Sequence, residues 1–261
     1  MSAPFSITVG PGALVATAVH DGHAIHPETL PHVSLPDAER LREEDPFTGQ
    51  LTDVAPTRVV GGRSRFEVDL NRPRDRAVYR TPDDAWGLQV WTDTVPDAVV
   101  ARSLALYDAF YTALGDLLRL KIEEHGSVVV YDLHTYNHRR DGPDGPVAER
   151  EGNPEVNLGT GTLDRERWGA LVDGFMADLR EGAAQAGLPD LDVRENVKFE
   201  GGHVSQWIHE TFGSDACVLA VEFKKTFMDE WSGELDEGHL GQLREALAHT
   251  VPGVLAARSA S

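Results

Sequence analysis

The sequence predicts an α/β protein, a three-layer α/β/α sandwich with a mixed, mostly parallel central sheet. Two observations predict it: short, β-branched apolar runs recur along the chain, and longer segments with apolar residues at helical spacing separate them. The 261 residues show no break in composition, so one domain over residues 1–261 is expected. Ligands of such sheets bind beyond the carboxyl ends of the strands, so a site is expected there.

Three apolar runs are expected to be buried strands. They read GALVATAVHDG, SVVVYDLHT and ACVLAVEFKK, and each is rich in the β-branched residues that favour strands. Each run ends in ionisable side chains, with His20 after the first, His134 at the end of the second and Glu222 at the end of the third. The carboxyl ends of three strands therefore carry groups suited to metal binding or proton transfer.

Three helices are expected between and after these strands. The first starts at Pro96 and ends at Gly126, the second starts at the N-cap Asp164 and ends at Gly187, and the third, LDEGHLGQLREALAHTV, closes the chain before Pro252. Pro-, Gly- and charge-rich segments are expected to be long loops, which tend to carry function. They read LPHVSLPDAERLREEDPFTG, LNRPRDRAVYRTPDDAW and NHRRDGPDGPVAEREGNPEVNLGTG.

The net charge of the chain limits the kinds of partner that it can bind. The chain has 24 Lys and Arg against 43 Asp and Glu, a formal net charge of −19, which argues against a nucleic acid partner. A local positive pocket can still attract a small anionic substrate. No apolar stretch approaches the roughly 20 residues of a membrane span. Because the single cysteine, Cys217, cannot form an internal disulfide, a cytoplasmic protein is expected. It is expected to be a monomer or a small homo-oligomer.

Histidines near two of the strand ends predict a metal site. His20 and His23 form an H-x-x-H pair in HDGH, and His134 supplies a third imidazole from a distant strand. Two close ligands and one distant ligand are typical of catalytic zinc sites, which keep a fourth position open. Neutral imidazole suits zinc better than magnesium or calcium. Asp132, two residues before His134, is expected either to orient that imidazole or to cap the loop.

Acidic and basic residues near these histidines predict hydrolysis of an anionic substrate. Glu222 ends an apolar strand, where a carboxylate is costly unless it is paired or used, and it could act as general base and then proton donor. The alternative is an ion pair with a neighbouring lysine. Arg65, Asn71 and Arg72 in RSRFEVDLNRPR could clamp a carboxylate, and Arg65 could instead stabilise an oxyanion.

Six segments in this order resemble the N-formylglutamate amidohydrolases and, more remotely, the zinc carboxypeptidases and the acylglutamate and acylaspartate deacylases. The resemblance spans about residues 14–231. The segments are HDGH, RSRFEVDLNR, VYDLHT, PEVNLGTG, FEGGHVSQW and LAVEFKKTFMDE.

The resemblance implies a zinc-carboxypeptidase-like sandwich and a role for each site residue. Zinc is held by His20, His23 and His134, Glu222 is the catalytic carboxylate, and Asn71–Arg72 clamp the substrate's carboxylate. The resemblance also favours His203 as a residue that faces the substrate, the alternative being a position at a helix cap.

Two departures from the family pattern bear on the substrate and the ligands. Carboxypeptidases have Glu where this chain has His23, and formylglutamate hydrolases usually have Pro where this chain has Val19. Three residues could replace His23 as the third ligand, namely Asp21, His26 and Glu28.

The expected function is therefore that of a zinc-dependent amidohydrolase acting on a small N-acyl amino acid, with N-formyl-L-glutamate as the best candidate. One alternative keeps the metal but changes the substrate, giving a carboxypeptidase or another N-acyl-amino-acid deacylase. A second alternative is a non-catalytic protein that binds an anionic metabolite without a metal.

Overall fold

The computed structural model describes residues 3–260, which contain a seven-stranded mixed sheet in the order β1-β3-β2-β4-β7-β5-β6. The pairs β3–β2, β2–β4, β4–β7 and β5–β6 are parallel, and β1–β3 and β5–β7 are antiparallel. The strands are β1 Phe5–Thr8, β2 Leu14–Ala18, β3 Thr57–Gly61, β4 Val128–Tyr136, β5 Val156–Gly159, β6 Val193–Glu195 and β7 Ala216–Lys224. The predicted α/β fold with a mixed, mostly parallel sheet is confirmed.

Helices cover both faces of the sheet. None of the helices within residues 3–260 is long and apolar enough to cross a membrane. The helices are α1 Asp37–Glu43, α2 Thr48–Leu51, α3 Asp97–His125, α4 Arg165–Gln185, α5 His203–Phe212, α6 Glu237–His249 and α7 Val251–Ala260.

The two central strands, β4 and β7, divide the core into two layers because their side chains alternate between the faces of the sheet. Tyr131 of β4 packs with Phe175 of α4 and Leu243 of α6 on one face. Val130 of β4 packs on the other face with Phe110 of α3 and Ile208 of α5. All nine residues of β4 are buried, as expected of a central strand covered on both sides.

The predicted helices form, with one correction at the end of the chain. The side chain of Asp164 accepts hydrogen bonds from the backbone N–H groups of Glu166 and Arg167, as expected of an N-cap. The third predicted helix, α6, ends at His249 but does not close the chain, because α7 begins at Val251 and contains Pro252 in its first turn. Proline is tolerated there since that N–H has no helical acceptor.

The segments predicted as long loops contain more structure than expected. The first of them contains α1, the start of α2 and the turn between these two helices. A third apolar cluster, which includes Phe66, Tyr79 and Trp91, lies beneath the second segment and fixes its course. These two segments therefore form a packed layer at one end of the sheet.

Candidate active site

Two imidazoles and one carboxylate converge at the carboxyl ends of the central strands. His20, Asp45 and His134 are buried, and each offers one ligand atom such that the three atoms lie within 4.8 Å of one another. The Nδ1 atoms of His20 and His134 lie 3.4 and 3.0 Å from Oδ2 of Asp45. Ligands of a tetrahedral zinc ion are separated by roughly 3.4 Å, given bonds of about 2.1 Å. The spacing therefore suits a metal ion of this size.

Three separate stretches of backbone bring these ligands together. His20 follows β2 by two residues and His134 lies in β4, the parallel neighbour of β2. Asp45 follows α1, and its backbone N–H donates to the carbonyl of His20 at 3.0 Å. The ammonium group of the buried Lys225 donates to the carbonyls of Arg42 and Glu44, at 2.5 and 2.6 Å. The backbone just before Asp45 is thus fixed to the end of β7.

The outer nitrogen of each imidazole faces a second buried carboxylate. Nε2 of His20 lies 2.7 Å from Oδ1 of Asp69, and Nε2 of His134 lies 3.3 Å from Oδ1 of Asp132. Thr17 donates a hydrogen bond to the same oxygen of Asp132, at 2.7 Å. Carboxylates behind metal-binding histidines fix the ring and keep Nδ1 free to bind a cation. The expected role of Asp132 in orienting His134 remains our prediction, and the distance agrees with it.

The electrostatics of the cluster favour a cation at its centre. Burial alone would raise the pKa of Asp45, but hydrogen bonds from His134 and His20 outweigh it and hold that pKa well below its usual range. Burial likewise opposes a charge on His134, yet Asp132 and Asp45 raise the pKa of His134 well above its usual value. Carboxylates buried this close together need compensating positive charge. The donor set, imidazole with carboxylate, suits a divalent transition metal.

Glu222 lies directly beside this cluster because of the strand register. It is paired with His134 across the parallel β4–β7 ladder, so both side chains lie on one face of the sheet. Its carboxylate makes no hydrogen bond or ion pair within residues 3–260. The alternative expected from the sequence, an ion pair with a neighbouring lysine, is therefore not observed. Burial raises the pKa of Glu222 to about 8. A carboxylate with a raised pKa and no partner is suited to accepting and returning a proton near neutral pH.

A cavity of about 240 Å³ gives access to these groups. Arg65 lines its wall and donates to Tyr79, to Asp69 at 2.9 Å and to the carbonyl of Glu43. Three of the five guanidinium N–H groups are thereby used, which leaves two for a ligand. The lining residues include His20, Asp45, Arg65, Asn71, His134, Glu222 and Lys225 near the cluster, and Glu43, Trp86, Tyr136, Asn137, Arg140 and Phe199 farther along.

Asn71 also lines the cavity and is held in place from two sides. Its Oδ1 accepts from the backbone N–H of Val204 at 2.9 Å, and its Nδ2 lies 3.2 Å from Nε2 of His134. A Cβ atom on Gly202 would lie 2.2 Å from that same Nδ2. Glycine at position 202 therefore allows the start of α5 to approach the amide closely.

The structure does not bring three of the sequence-predicted site residues to the cavity wall. His23 lies outside the His20–Asp45–His134 cluster, because its imidazole bonds to the buried Glu44 at 2.5 Å and to Asp37 at 3.0 Å. Arg72 stacks over Tyr79 and Trp86, with its guanidinium carbon 4.8 and 5.6 Å from the two ring centroids. His203 starts α5 and packs on Tyr111. We therefore replace His23 by Asp45 in the candidate ligand set.

The other residues considered as a third ligand also lie outside the cluster. Asp21 accepts a hydrogen bond from the backbone of Gly49 at 2.8 Å, and burial raises its pKa to about 6. Glu28 pairs with Arg102 at the surface. His26 accepts from the backbone of Glu28 at 3.2 Å. Each of these side chains already has a local partner.

Sequence reasoning missed Asp45 and Asp69 as candidate site residues. Asp45 ends the acidic run EED in a segment predicted to be a long loop, and acidic runs in loops are usually solvated surface charge. Asp69 lies inside RSRFEVDLNR, where Phe66, Val68 and Leu70 surround it with apolar residues. An acidic residue in such apolar surroundings was the available signal, since burying a carboxylate without a use is costly.

Comparison with known proteins adds independent findings. The family model of N-formylglutamate amidohydrolase matches residues 12–228. The crystal structure of N-formylglutamate amidohydrolase from Ralstonia eutropha superposes with a TM-score of 0.76 at 19% identity, over 100% of both chains. A gene product of Agrobacterium tumefaciens superposes with a TM-score of 0.65 at 18% identity, over 99% of this chain and 96% of that one. No curated protein matches. At these identities the two structures show a shared fold.

Proposed function

The chain belongs to the N-formylglutamate amidohydrolase family and is a hydrolase that acts on an amide, and from this premise we propose a specific reaction for it. We propose that it is a zinc-dependent enzyme that cleaves the amide of a small N-acyl amino acid. The best candidate substrate is N-formyl-L-glutamate, which gives formate and L-glutamate. The observation that carries the proposal is the carboxylate of Glu222, which lies beside the His20–Asp45–His134 cluster and has no hydrogen-bonding or ionic partner among the described residues 3–260.

Zinc is the metal we assign to that cluster. The donors are two imidazole nitrogens and one carboxylate oxygen, and three protein ligands are the usual number at a catalytic zinc ion. When bound, the ion acts as a Lewis acid that polarises a carbonyl and makes water more acidic. The buried carboxylates of Asp69 and Asp132 support this assignment, since they hold both rings with Nδ1 toward the centre of the cluster.

Glu222 is the residue we assign to proton transfer. It takes a proton from the attacking water and returns it to the nitrogen of the leaving amine, so one group acts first as base and then as acid. Arg65 directs its remaining N–H groups at the acyl oxygen, where negative charge develops during attack. Asn71 offers an Nδ2 hydrogen to the near carboxylate of the substrate. Because Arg72 stacks over Trp86, we assign this contact to Asn71 and not to the predicted Asn71–Arg72 pair.

The size of the cavity supports a small substrate. Pockets for drug-sized ligands enclose about 300–1,000 Å³, whereas this cavity encloses about 240 Å³. A single N-acyl amino acid suits such a volume better than a peptide does. This favours the amidohydrolase proposal over the carboxypeptidase alternative.

The proposal can be tested by measuring the release of free amine from a panel of N-acyl amino acids. The panel contains N-formyl-L-glutamate, other N-formyl and N-acetyl amino acids, and dipeptides with a free C-terminal carboxylate. We expect the highest kcat/KM for N-formyl-L-glutamate. Glu222→Gln should lower kcat by about 10²–10⁴-fold, the range typical of a lost general acid–base group.

Zinc content measured on the same samples separates a lost base from a lost metal. The Glu222→Gln protein should keep zinc at the wild-type level, since Glu222 is not among the assigned ligands. Turnover retained by this variant would remove Glu222 from the mechanism. A wild-type enzyme that prefers dipeptides would favour the carboxypeptidase alternative.

A further inference from the structure

A second cavity of about 150 Å³ adjoins the active-site cavity. The two cavities share four lining residues, Glu43, Trp86, Asn137 and Arg140. Because these residues form part of both walls, a ligand whose amide lies over the His20–Asp45–His134 cluster can extend into the second cavity. We call this second space the side cavity, and its remaining lining residues are Arg42, Leu88 and Arg139.

The side cavity is positively charged in a strongly acidic protein. Three of its seven lining residues are arginines and one, Glu43, is acidic. The whole chain has the opposite bias, with 24 basic against 43 acidic residues. Charges within a few ångströms of a bound ligand outweigh distant charges that salt screens. The side cavity is therefore suited to an anion.

Two of the lining side chains have polar groups without a partner within residues 3–260. The guanidinium of Arg140 makes no hydrogen bond, and its ion pair with Glu43 is long, at 3.9 Å. Asn137 is only 5% exposed, yet its amide makes no hydrogen bond and its Oδ1 is buried without any partner. Buried polar groups are nearly always paired. A carboxylate between Asn137 and Arg140 would give an acceptor to the two donor groups, Nδ2 of Asn137 and the guanidinium of Arg140.

The other two arginines are already held by protein groups. Arg42 donates to Glu43 at 3.2 Å and stacks on Trp231, with 4.1 Å between its guanidinium carbon and the ring centroid. Arg139 pairs with Asp229 at 3.5 Å. These contacts leave Arg42 and Arg139 to contribute positive potential, while Arg140 is free to move onto a ligand.

The backbone beneath the unpartnered groups is anchored. The carboxylate of the buried Glu230 accepts the backbone N–H groups of His138 and Arg139. The indole N–H of Trp231 donates to the carbonyl of Arg139 at 2.9 Å. Asn137 and Arg140 lie on either side of this anchored pair, so their starting positions are fixed before a ligand arrives.

We propose that Asn137 and Arg140 bind the substrate carboxylate that lies farther from the scissile amide, and that they thereby determine specificity for an acidic side chain. The guanidinium of Arg140 donates two parallel hydrogen bonds to the carboxylate, and the amide of Asn137 donates a third. This inference rests on the proposed function, because it assumes that the amide is bound over the cluster.

The test compares two substrates that differ only in this distant group. N-formyl-L-glutamine has nearly the shape of N-formyl-L-glutamate and keeps its near carboxylate, but its side chain is neutral. We expect the wild-type enzyme to prefer N-formyl-L-glutamate by at least 10-fold in kcat/KM. Arg140→Gln should lower kcat/KM for N-formyl-L-glutamate by about 10–100-fold, mainly through KM, and change that for N-formyl-L-glutamine by less than about threefold. Arg140→Lys should recover part of the loss.

A matched control and a binding measurement complete the design. Arg119→Gln removes an exposed arginine that pairs with Asp116 on α3 and lines neither cavity, so it should leave the turnover of both substrates unaffected. Calorimetry on zinc-loaded Glu222→Gln protein measures the affinity for both compounds without turnover. Arg140→Gln in this background should weaken binding of N-formyl-L-glutamate and not of N-formyl-L-glutamine.

The outcomes distinguish this inference from the proposed function. Equal hydrolysis of both substrates by the wild type, or an equal loss for both in Arg140→Gln, would overturn the side-cavity assignment and leave the hydrolysis standing. Selective binding of N-formyl-L-glutamate without turnover by the wild type would uphold the assignment and overturn the proposed reaction. Absence of both binding and turnover would overturn both.

Discussion

Asp45 is the single residue on which the candidate metal site most depends. It bridges the Nδ1 atoms of both histidines, whereas His23, in the same HDGH segment as His20, bonds to Glu44 and Asp37 instead. We expect Asp45→Ala to weaken zinc binding by at least about 100-fold, since even the residues behind zinc ligands contribute 10–100-fold. His23→Gln should change it by less than about threefold. Competition with a zinc-binding dye measures both affinities.

The Asp45 and His23 variants also decide between the two ligand sets. Glutamine at position 23 retains a hydrogen bond to Glu44, so the surrounding segment should stay folded, which circular dichroism checks. If His23→Gln lost zinc while Asp45→Ala kept it, the ligand set would be the one expected from the sequence.

Glu222 also makes the stability of the metal-free protein depend on pH. Burial raises its pKa from 4.5 to about 8, so between these values the folded chain holds a proton that the unfolded chain releases. The folded state is therefore destabilised as pH rises through this window. In the presence of EDTA, Glu222→Gln should gain stability over the wild type from pH 5 to pH 8, by up to about 4 kcal/mol.

Thermal unfolding of both proteins at several pH values measures this effect. Bound zinc should reduce the difference, because a nearby cation favours the ionised carboxylate. Stability curves that run parallel from pH 5 to pH 8 without metal would show that Glu222 is not held in a desolvated position.

At the scale of single residues, the sequence was sufficient to locate His20, His134, Glu222 and Arg65 in one cavity. Each of the first three stands at or just beyond the end of an apolar run, and the topology of parallel strands brings such ends together. Asp45 could not be found in this way. Its position depends on how α1 docks against β7 through Lys225, a contact between residues about 180 positions apart.

At the scale of elements, α5 and β7 are joined by a histidine that must stay neutral. Nε2 of His209 accepts the backbone N–H of Val218 at 3.0 Å, and Nδ1 lies 2.8 Å from the hydroxyl of Thr162. Burial lowers the pKa of His209 from 6.5 to about 4. A proton on Nε2 would remove the acceptor that Val218 needs.

Stability should therefore fall in acid because of His209. Below pH 6.5 the unfolded chain binds a proton at this imidazole that the folded chain does not bind until about pH 4. The stabilisation is complete above pH 6.5 and is lost progressively toward pH 4, by up to about 3 kcal/mol. His209→Gln keeps an acceptor that does not titrate, so its unfolding free energy should be less sensitive between pH 6.5 and 4. His32→Gln, at a partly exposed position, is the control and should behave like the wild type.

The elements that sequence reasoning identified are those with strong local signals. Strands β4 and β7 are long and apolar, and α3 and α4 have clear termini. By contrast, β5 and β6 have four and three residues, too few for a periodic pattern. Strand β5 is placed by its pairing with β7, and β6 by its pairing with β5. Helix α7 was missed because Pro252 looked like a terminator, whereas it occupies the first turn of a new helix.

At the scale of the whole molecule, the fold collects a few basic residues around one cavity of a strongly acidic protein. The net charge of −19 would repel the anionic substrate we propose at long range, while the arginines of the side cavity would attract it at short range. The sheet places these arginines at the same end as the carboxyl ends of β2, β4 and β7. The composition predicts the acidic surface, but only the folded chain collects Arg42, Arg139 and Arg140 around one space.

The most direct measurement of the central claim is anomalous diffraction at the zinc absorption edge from crystals of the wild-type protein grown with zinc. We predict a peak about 2.0–2.2 Å from Nδ1 of His20, Nδ1 of His134 and a carboxylate oxygen of Asp45, with Glu222 beside it. No peak at saturating zinc, or a peak between His23 and Glu44 in its place, would contradict the account.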